Sequence, residues 1–298
     1  MGRLRRALAS DHVAGWAFIG PAFLLIGVFG ILPIVWGLVL SFQKSDLIDP
    51  NTPFVGLTNY RALAHDHVLR IAAGHTLVYT GVFVPVSVIG ALFVAVALNR
   101  KIHLIRFYRT AVFVPVVAST IATSIMFLWL FDAQYGLANW LLGKIGVGPF
   151  GFFDSPRGAL YAIIAMTVWG WVGFDVIIYL AALQGIPHEL VEAAEIDGAS
   201  RWSIFRSITV PLLGPATLLL VVWSSINALQ LFDEVYFVTH GGPPPYNTAV
   251  VVWWLFSLAF RLGAAGYAAA IAYVLFLAIL VLTMVQFWLG NKVVHYSS

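Results

Sequence analysis

The sequence predicts an all-α polytopic membrane protein with six transmembrane helices. Hydrophobic residues make up 61% of its 298 residues and charged residues only 10%, whereas about a quarter of the residues of a soluble domain are charged. So few charges cannot cover the water-facing surface of a soluble protein of this length. In addition, the chain contains long apolar segments that alternate with shorter polar stretches.

Six of these apolar segments are long enough to cross a bilayer, which requires about 20 residues of helix. They are residues 14–41, 71–98, 110–131, 159–183, 212–232 and 263–290. The first is longer than the apolar region of a signal peptide, about 7–15 residues, so we expect it to remain as a span. Residues 249–260 are apolar but too few to cross, and we expect a re-entrant or interfacial piece. Residues 1–298 are expected to form a single transmembrane domain.

The distribution of Lys and Arg predicts the orientation, because cytoplasmic loops of membrane proteins carry an excess of these residues. Ten of the sixteen lie in the two terminal tails and in the loops 99–109 and 184–211, and six lie in the loops of the other side. The loop 99–109 alone contains four bases and no acid. Both termini are therefore expected to be cytoplasmic, together with the segment 187–211.

The segment 187–211 is predicted to form two short helices that lie under the membrane. Pro187 suits the first turn of a helix, and Gly198 can end that helix. Ser200 can cap a second, amphipathic helix, which Pro211 is expected to close. The first helix and its end carry four carboxylates within nine residues, Glu189, Glu192, Glu195 and Asp197.

Small and charged residues together make this first helix a predicted docking surface. Ala193 and Ala194 permit close approach of another backbone, and the neighbouring carboxylates can form ion pairs. Asp197 lies at the C-terminal end, where the helix dipole disfavours an anion, so it requires a cation from Arg201 or from another protein. The alternative is a solvated loop whose charges have no partner.

The stretch "EAAEIDGASRWSIFRSITVP" resembles the EAA loop of permease subunits of binding-protein-dependent ABC importers. That pattern is Glu-Ala-Ala, three residues, Gly, nine residues, then Ile-x-Leu-Pro. This sequence keeps the spacing from Glu192 to Pro211, with Val210 in place of Leu. The stretches "FVGLTNYRAL", "FYRTAVFVPVV", "FDAQYGLANWLL" and "FVTHGGPPPYNTAVVV" are similar to the carbohydrate-uptake branch, which includes maltose, disaccharide and glycerol-3-phosphate importers.

The resemblance implies a type I ABC importer transmembrane domain in a prokaryotic cytoplasmic (inner) membrane, surrounded by lipid. It implies partners: a second homologous permease subunit, two copies of a cytoplasmic ATPase subunit and an extracytoplasmic solute-binding protein. The acidic helix would be the coupling helix that inserts into the ATPase. The residues that would make this contact are Glu192, Ala193, Ala194, Asp197 and Gly198. ATP and Mg would be bound by the ATPase, and no cofactor is expected in this chain.

The sequence itself lacks an ATPase motif. Gly143 and Lys144 form the only Gly-Lys pair, but Ile145 follows where Ser or Thr is required, and Ala138 stands where the motif needs glycine. We therefore expect a transport subunit and not an enzyme. The eight histidines are scattered and no cysteine is present, so no metal site is expected, and no basic stripe suggests nucleic acid.

Several polar or aromatic residues within the spans are candidates for the solute path. They are Asp175, Ser224, Asn227, Gln230, Trp169 and Tyr179. A charged residue inside a span usually faces protein or water, so Asp175 either accepts hydrogen bonds from sugar hydroxyls or makes an interhelical contact. Ser224, Asn227 and Gln230 are spaced to share one helix face, which either lines a path or joins helices. The aromatic residues, with Trp171, either stack on a sugar ring or pack between helices.

The loop "THGGPPPYN" is predicted to be a rigid extracytoplasmic turn. By the resemblance, Gly241, Gly242 and Pro243 are candidates for contact with the binding protein. The two interpretations are compatible.

The resemblance implies that the chain forms half of the translocation path for a sugar or a sugar-like solute. A glycerol-3-phosphate or related phosphodiester solute is the alternative by the same mechanism, although the absence of Lys and Arg from the spans favours a neutral sugar. A self-sufficient secondary transporter would need buried coupling-ion carboxylates and an internal repeat, and only Asp175 is available. A membrane-bound enzyme would need converging His, Glu or Ser groups, which the sequence does not show. The solute, and whether the partner permease is identical, stay open.

Overall fold

The computed structural model describes residues 11–46, 51–100, 103–156, 158–242 and 246–293. Two compact units make up the chain. One comprises Met1–His65 and Leu255–Val274, and the other comprises Asp66–Trp254 and Leu275–Ser298. Almost all regular structure in the described residues is helical.

The first unit contains the first expected span as one long helix. Its helical segments are α1 (Asp11–Ile26), a π-helical turn (Gly27–Ile31), α2 (Leu32–Ser41) and α3 (Thr58–Leu63). The apolar run Gly15–Ser41 is 27 residues long, and its most apolar window buries none of its residues within the chain. A helix that is apolar on every side and unburied is suited to contact with lipid.

Polar contacts fix the chain where α2 ends. The Ser41 and Tyr60 hydroxyls lie 2.7 Å apart, and Asn59 Nδ2 donates to Ser41 O at 2.8 Å and to Gln43 O at 3.0 Å. The backbone carbonyls that have no partner inside the helix are satisfied in this way. The segment that follows the first span is therefore ordered by α3.

The second unit is built on two long helices that pack along one another, α4 and α8. Its helices are α4 (His67–Leu98), α5 (Ile105–Val117), α6 (Thr120–Leu130), α7 (Leu137–Lys144), α8 (Ala159–Gln184), α9 (His188–Ile196), α10 (Arg201–Ile204), α11 (Val210–Leu212), α12 (Gly214–Leu229) and α13 (Asp233–Val238). Two further helices, α14 (Val251–Phe260) and α15 (Ala265–Val293), contribute residues to both units. Tyr79 and Phe83 of α4 and Ile163 and Tyr179 of α8 are among the most buried core residues.

The helix α5 crosses α8 at a glycine. A Cβ atom on Gly173 would overlap the carbonyl oxygen of Val112 and would lie 2.9 Å from Val116 Cγ2. Only a residue without a side chain permits this approach of the two backbones. The crossing holds the third expected span against the fourth.

The third expected span differs from the prediction of one helix over 110–131. It consists of α5 and α6, which meet at an angle of 102°. Ala118 and Ser119 are extended at the junction, with ψ of 141° and 135°, and the last helical contact is the 3.1 Å hydrogen bond from Ala118 N to Pro115 O. The two helices together remain apolar enough for one span, although Ser119 and Thr120 lie at the junction, so hydropathy alone could not show the bend.

In the described residues the first, second, fourth and sixth expected spans are each continuously helical, whereas the fifth is interrupted at residues 230–232, between α12 and α13. Within the described part of the chain, five helical stretches are long and apolar enough to cross a membrane, and the bent pair would be a sixth. The fifth span runs over Gly214–Val238, beyond the end predicted at residue 232. The short apolar stretch predicted at 249–260 is the ten-residue helix α14.

Candidate functional site

A cavity of about 340 Å³ lies within the second unit, between α4, α6, α8 and α12 and the start of α13. Its aromatic lining consists of Tyr79, Phe83, Trp171, Trp223 and Phe232. Its polar lining consists of Thr120, Thr167, Asp175, Ser224, Asn227, Gln230, Asp233 and Glu234. Four predicted path residues, Asp175, Ser224, Asn227 and Gln230, are therefore brought together at one cavity.

Asp175 is positioned by the packing of α8 against α4. Its side chain is only 3% exposed, and its Oδ2 accepts a hydrogen bond of 2.5 Å from Ser87 Oγ. A buried carboxylate needs such donors, since an unpaired buried charge is strongly disfavoured. The contact directs the carboxylate to the cavity wall.

The polar face of α12 supplies hydrogen-bonding groups to the same cavity. Asn227 Nδ2 donates to Trp223 O at 2.8 Å, one turn earlier on the same helix. This contact leaves Asn227 Oδ1 without a partner among the described residues. Ser224 is buried and Gln230 is exposed at the end of the helix. A solute in the cavity would meet both donors and acceptors on this face.

Sequence reasoning missed Glu234, which is 9% exposed and lines the cavity. The predicted fifth span ended at residue 232, so Asp233 and Glu234 were assigned to a loop. The structure continues the span as α13, which begins at Asp233. The signal in the sequence was the pair of acids at the end of an apolar run whose preceding turns already carried polar residues.

Trp169 and Tyr179 do not line this cavity. Tyr179 is fully buried and donates a hydrogen bond of 3.1 Å to Thr217 Oγ1. Trp169 packs edge-on against Phe127, with 5.4 Å between the ring centroids. The cavity therefore gives their predicted stacking role no support, whereas Trp171 does line it.

A smaller cavity of about 180 Å³ lies in the bend between α5 and α6. It shares Thr120, Thr167, Trp171 and Glu234 with the larger one. The four shared side chains therefore form a wall between two adjacent spaces.

The segment predicted to dock another protein forms α9, preceded by Pro187 as its N-cap residue. Its end is a Schellman motif: Gly198 N donates to Glu195 O at 3.0 Å and Ala199 N donates to Ala194 O at 2.9 Å. The motif requires a left-handed residue, and Gly198 has φ of +79°. The left-handed backbone conformation of this helix end therefore explains why residue 198 is glycine.

The helix α9 buries none of its side chains within the chain. Glu192 and Ala193 are exposed, and Ile196 is 86% exposed although it is apolar. Asp197 and Arg201 form no ion pair with one another within the described part of the chain. Ile196, which sequence reasoning did not single out, thus adds an apolar contact to the predicted docking surface.

The second helix of this segment begins as predicted and ends within one residue of Pro211. Ser200 Oγ accepts a hydrogen bond of 3.2 Å from Ser203 N. The helix α10 then passes through a π-helical turn at Phe205–Thr209 into α11, which includes Pro211. This helical run ends at Leu212, one residue after the predicted end at Pro211, and α12 begins at Gly214.

The glycine turn after α13 is compact. Gly241 and Gly242 have φ of +83° and +75°, and a Cβ atom on Gly241 would overlap the ring of Trp253. Thr248 Oγ1 donates to Thr239 Oγ1 at 2.7 Å across the turn. Pro243 lies outside the described residues.

Comparison with known proteins places these features in one family. The family described as binding-protein-dependent transport system inner membrane component matches residues 72–295. The chain belongs to this family. It is the membrane-embedded permease component of an ABC importer, a multi-pass inner-membrane protein that acts with a solute-binding protein, while ATP hydrolysis belongs to a separate subunit.

Curated relatives match this permease over almost its whole length. The lactose transport system permease protein LacF of Rhizobium radiobacter is 38% identical over 285 residues, 94% of this chain and 95% of the relative. The trehalose/maltose transport system permease protein MalF of Thermococcus litoralis is 33% identical over 280 residues, 93% of each chain. The arabinooligosaccharides transport system permease protein AraP of Bacillus subtilis is 32% identical over 285 residues, 95% of this chain and 90% of the relative.

The fold of this permease also matches a solved structure. A chain of a bacterial ABC transporter involved in the import of the acidic polysaccharide alginate superposes with a TM-score of 0.84, covering 98% of this chain and 100% of that one. The two are 22% identical in sequence, so this match supports the fold alone.

Proposed function

We propose that this permease carries a sugar or oligosaccharide and that the cavity in the second unit is its half of the translocation path. Sugar rings combine apolar C–H faces with hydroxyl groups. The indoles of Trp171 and Trp223 offer flat apolar surfaces, and Asp175, Asn227 and Gln230 offer acceptors and donors. Sites of this mixed character bind small polar solutes. This combination is the observation that carries the proposal, and the lactose, trehalose/maltose and arabinooligosaccharide relatives agree with it.

A second, homologous permease subunit completes the path in this proposal. Asn227 and Gln230 are exposed on a membrane-spanning helix. Polar side chains inside a span face protein or a water-filled space rather than lipid. Another permease would cover them and enclose the path.

Two copies of a cytoplasmic ATPase drive the cycle through α9. The exposed Glu192, the small Ala193 and Ala194 and the exposed Ile196 present charge, close approach and apolar contact on one short helix. Shifting a two-state equilibrium from 1:99 to 99:1 requires about 5.5 kcal/mol of differential binding. The rigid end of α9 at Gly198 allows that energy to reach the spans.

The solute path is tested by two tryptophans of α8. Trp171 lines the cavity and Trp169 does not, yet they are 40% and 41% exposed. Aromatic contacts contribute about 1 kcal/mol beyond area burial, so Trp171→Ala should reduce binding-protein-dependent uptake about fivefold or more. Trp169→Ala, the matched control, should stay near wild type. Equal uptake by the two variants would contradict the proposal that the cavity is part of the solute path.

The assembly is tested by affinity purification of this chain from its own host in mild detergent. Mass spectrometry should identify an ATPase, a second six-span permease and a solute-binding protein. The ligand of that binding protein then names the sugar. Recovery of the chain without a nucleotide-binding partner in several detergents would contradict the coupling role of α9.

A further inference from the structure

The cavity in the second unit is lined by acidic groups and by no basic group. Asp175, Asp233 and Glu234 all contribute to its wall, and none of its lining residues is Lys, Arg or His. Asp175 and Glu234 are at most 9% exposed. Carboxylates held at a low-dielectric wall focus their field into the enclosed space.

These carboxylates are not neutralised by ion pairs within the described part of the chain. Asp175 accepts a hydrogen bond from the uncharged Ser87. The carboxylate of Glu234 lies near that of another acid, Asp233. The side chain of Glu234 forms a hydrogen bond with the uncharged Trp171. Their charge is therefore left to act on whatever enters the cavity.

We infer that this cavity excludes anionic solutes and admits neutral or cationic ones, with Asp175 and Glu234 as the specificity-determining residues. The inference rests on the proposed function, because it concerns the solute of that path. The solute class is then uncharged sugars and amino sugars, and not sugar phosphates or sugars that carry carboxylates. A protein of the same fold imports an acidic polysaccharide, so the fold does not set the charge of the solute and the side chains of the path must do so.

The size of the effect follows from Coulomb's law. A unit charge about 6 Å from one carboxylate, at an effective dielectric constant of about 40, is favoured or disfavoured about tenfold. Two carboxylates at one cavity therefore separate cations from anions by much more than tenfold. Replacing each acid by its amide keeps the shape of the side chain and removes the charge.

The absence of cysteine from the chain permits a test that needs no knowledge of the solute. A single cysteine is introduced by Asn227→Cys at the cavity, and another by Gln134→Cys at an exposed position between α6 and α7. The assembled transporter is treated at pH 8 with a cationic trimethylammonium-ethyl or an anionic sulfonatoethyl methanethiosulfonate. Peptide mass spectrometry gives the rate of modification of each cysteine.

The cation-to-anion rate ratio at residue 227 should exceed that at residue 134 by about tenfold or more. In the Asp175→Asn, Glu234→Gln background, the ratio at residue 227 should fall toward the ratio at residue 134, which should itself stay constant. The neutral reagent methyl methanethiosulfonate should modify residue 227 at a similar rate in both backgrounds, which shows that the cavity is intact. Equal ratios at the two positions, or a ratio at residue 227 that ignores the two amide replacements, would overturn the inference.

The outcome is independent of the outcome for the proposed function. The thiol measurement requires neither uptake nor ATP hydrolysis, so a charged cavity in a protein that carries no sugar would refute the proposed function alone. Sugar uptake through a cavity that shows no preference between the two reagents would refute the charge selection alone.

Discussion

At the scale of single residues, the hydroxyl of Ser87 supports the carboxylate of the cavity. Ser87 is fully buried on α4 and donates to Asp175 on α8. Ser124 is also fully buried, but its Oγ has no hydrogen-bond partner among the described residues. The two serines are equally buried in the same unit, and Ser87 alone of the two has a hydrogen-bond partner among the described residues.

Removal of the two hydroxyls should have different effects. Ser87→Ala leaves a buried carboxylate without its donor, which costs about 1–3 kcal/mol, so thermal stability in detergent and solute uptake should both fall. Ser124→Ala removes an unsatisfied polar group and should be neutral or slightly stabilising. The measurements are the melting temperature and the solute uptake of each variant. An equal loss of stability and uptake in both variants would show that the hydrogen bond from Ser87 to Asp175 contributes to neither.

At the scale of elements, α9 is a short helix whose ending is fixed by backbone geometry. The Schellman hydrogen bonds at Gly198 set the direction in which the chain turns into α10. A side chain at φ of +79° is strained, but Asn accepts the left-handed region more readily than other residues with a side chain. The rigidity of this turn and the chemistry of its side chain can therefore be separated by substitution.

Gly198→Val should uncouple the permease from its ATPase, because the left-handed conformation costs a residue with a Cβ about 1–2 kcal/mol. Gly198→Asn should retain most of the coupling. The measurement is solute-stimulated ATP hydrolysis by the reconstituted complex, normalised to the amount of assembled complex. If both variants lose stimulation equally, the surface at residue 198, and not the turn, is what the ATPase requires.

At the scale of the whole molecule, orientation follows from the excess of Lys and Arg in the terminal tails and in alternate loops. The same rule places the loop between the third and fourth spans outside and α10 inside. Both regions contain an exposed polar residue, Gln134 and Ser203. The orientation of the chain in the membrane can therefore be tested by labelling these two positions.

A membrane-impermeant thiol reagent should distinguish these positions in intact cells. Gln134→Cys should react from outside, and Ser203→Cys should react only after the membrane is opened. The cysteine-free wild-type chain is the background control. Labelling of residue 203 in intact cells would contradict the predicted orientation. It would place α9 on the extracytoplasmic side, away from a cytoplasmic ATPase.

The sequence was sufficient for the features that depend on composition and local pattern. The apolar segments, the helix end at Gly198 and the polar face of α12 all follow from residue type and spacing. The bend in the third span does not, since the two helices on either side of it are together apolar enough to count as one span. The acid pair at the end of the fifth apolar run was a signal for Glu234, but tertiary packing was needed to show that this acid lines the cavity. The different positions of Trp171, which lines the cavity, and Trp169, which packs on Phe127, likewise depend on the helices that pack on each side of α8.

The bend between α5 and α6 has a consequence for the membrane potential. Irregular backbone at membrane depth is tolerated where it is buried in protein or lines a water-filled space, and the smaller cavity borders this bend at Ala118, Thr120 and Thr123. The helix α5 has 13 residues and covers about 20 Å, less than the hydrocarbon thickness of about 30 Å. If water fills the smaller cavity, we expect the insulating layer to be thinner there and the voltage to fall over a shorter distance. Glu234 lines the same cavity, so we expect its charge to respond to a change in voltage.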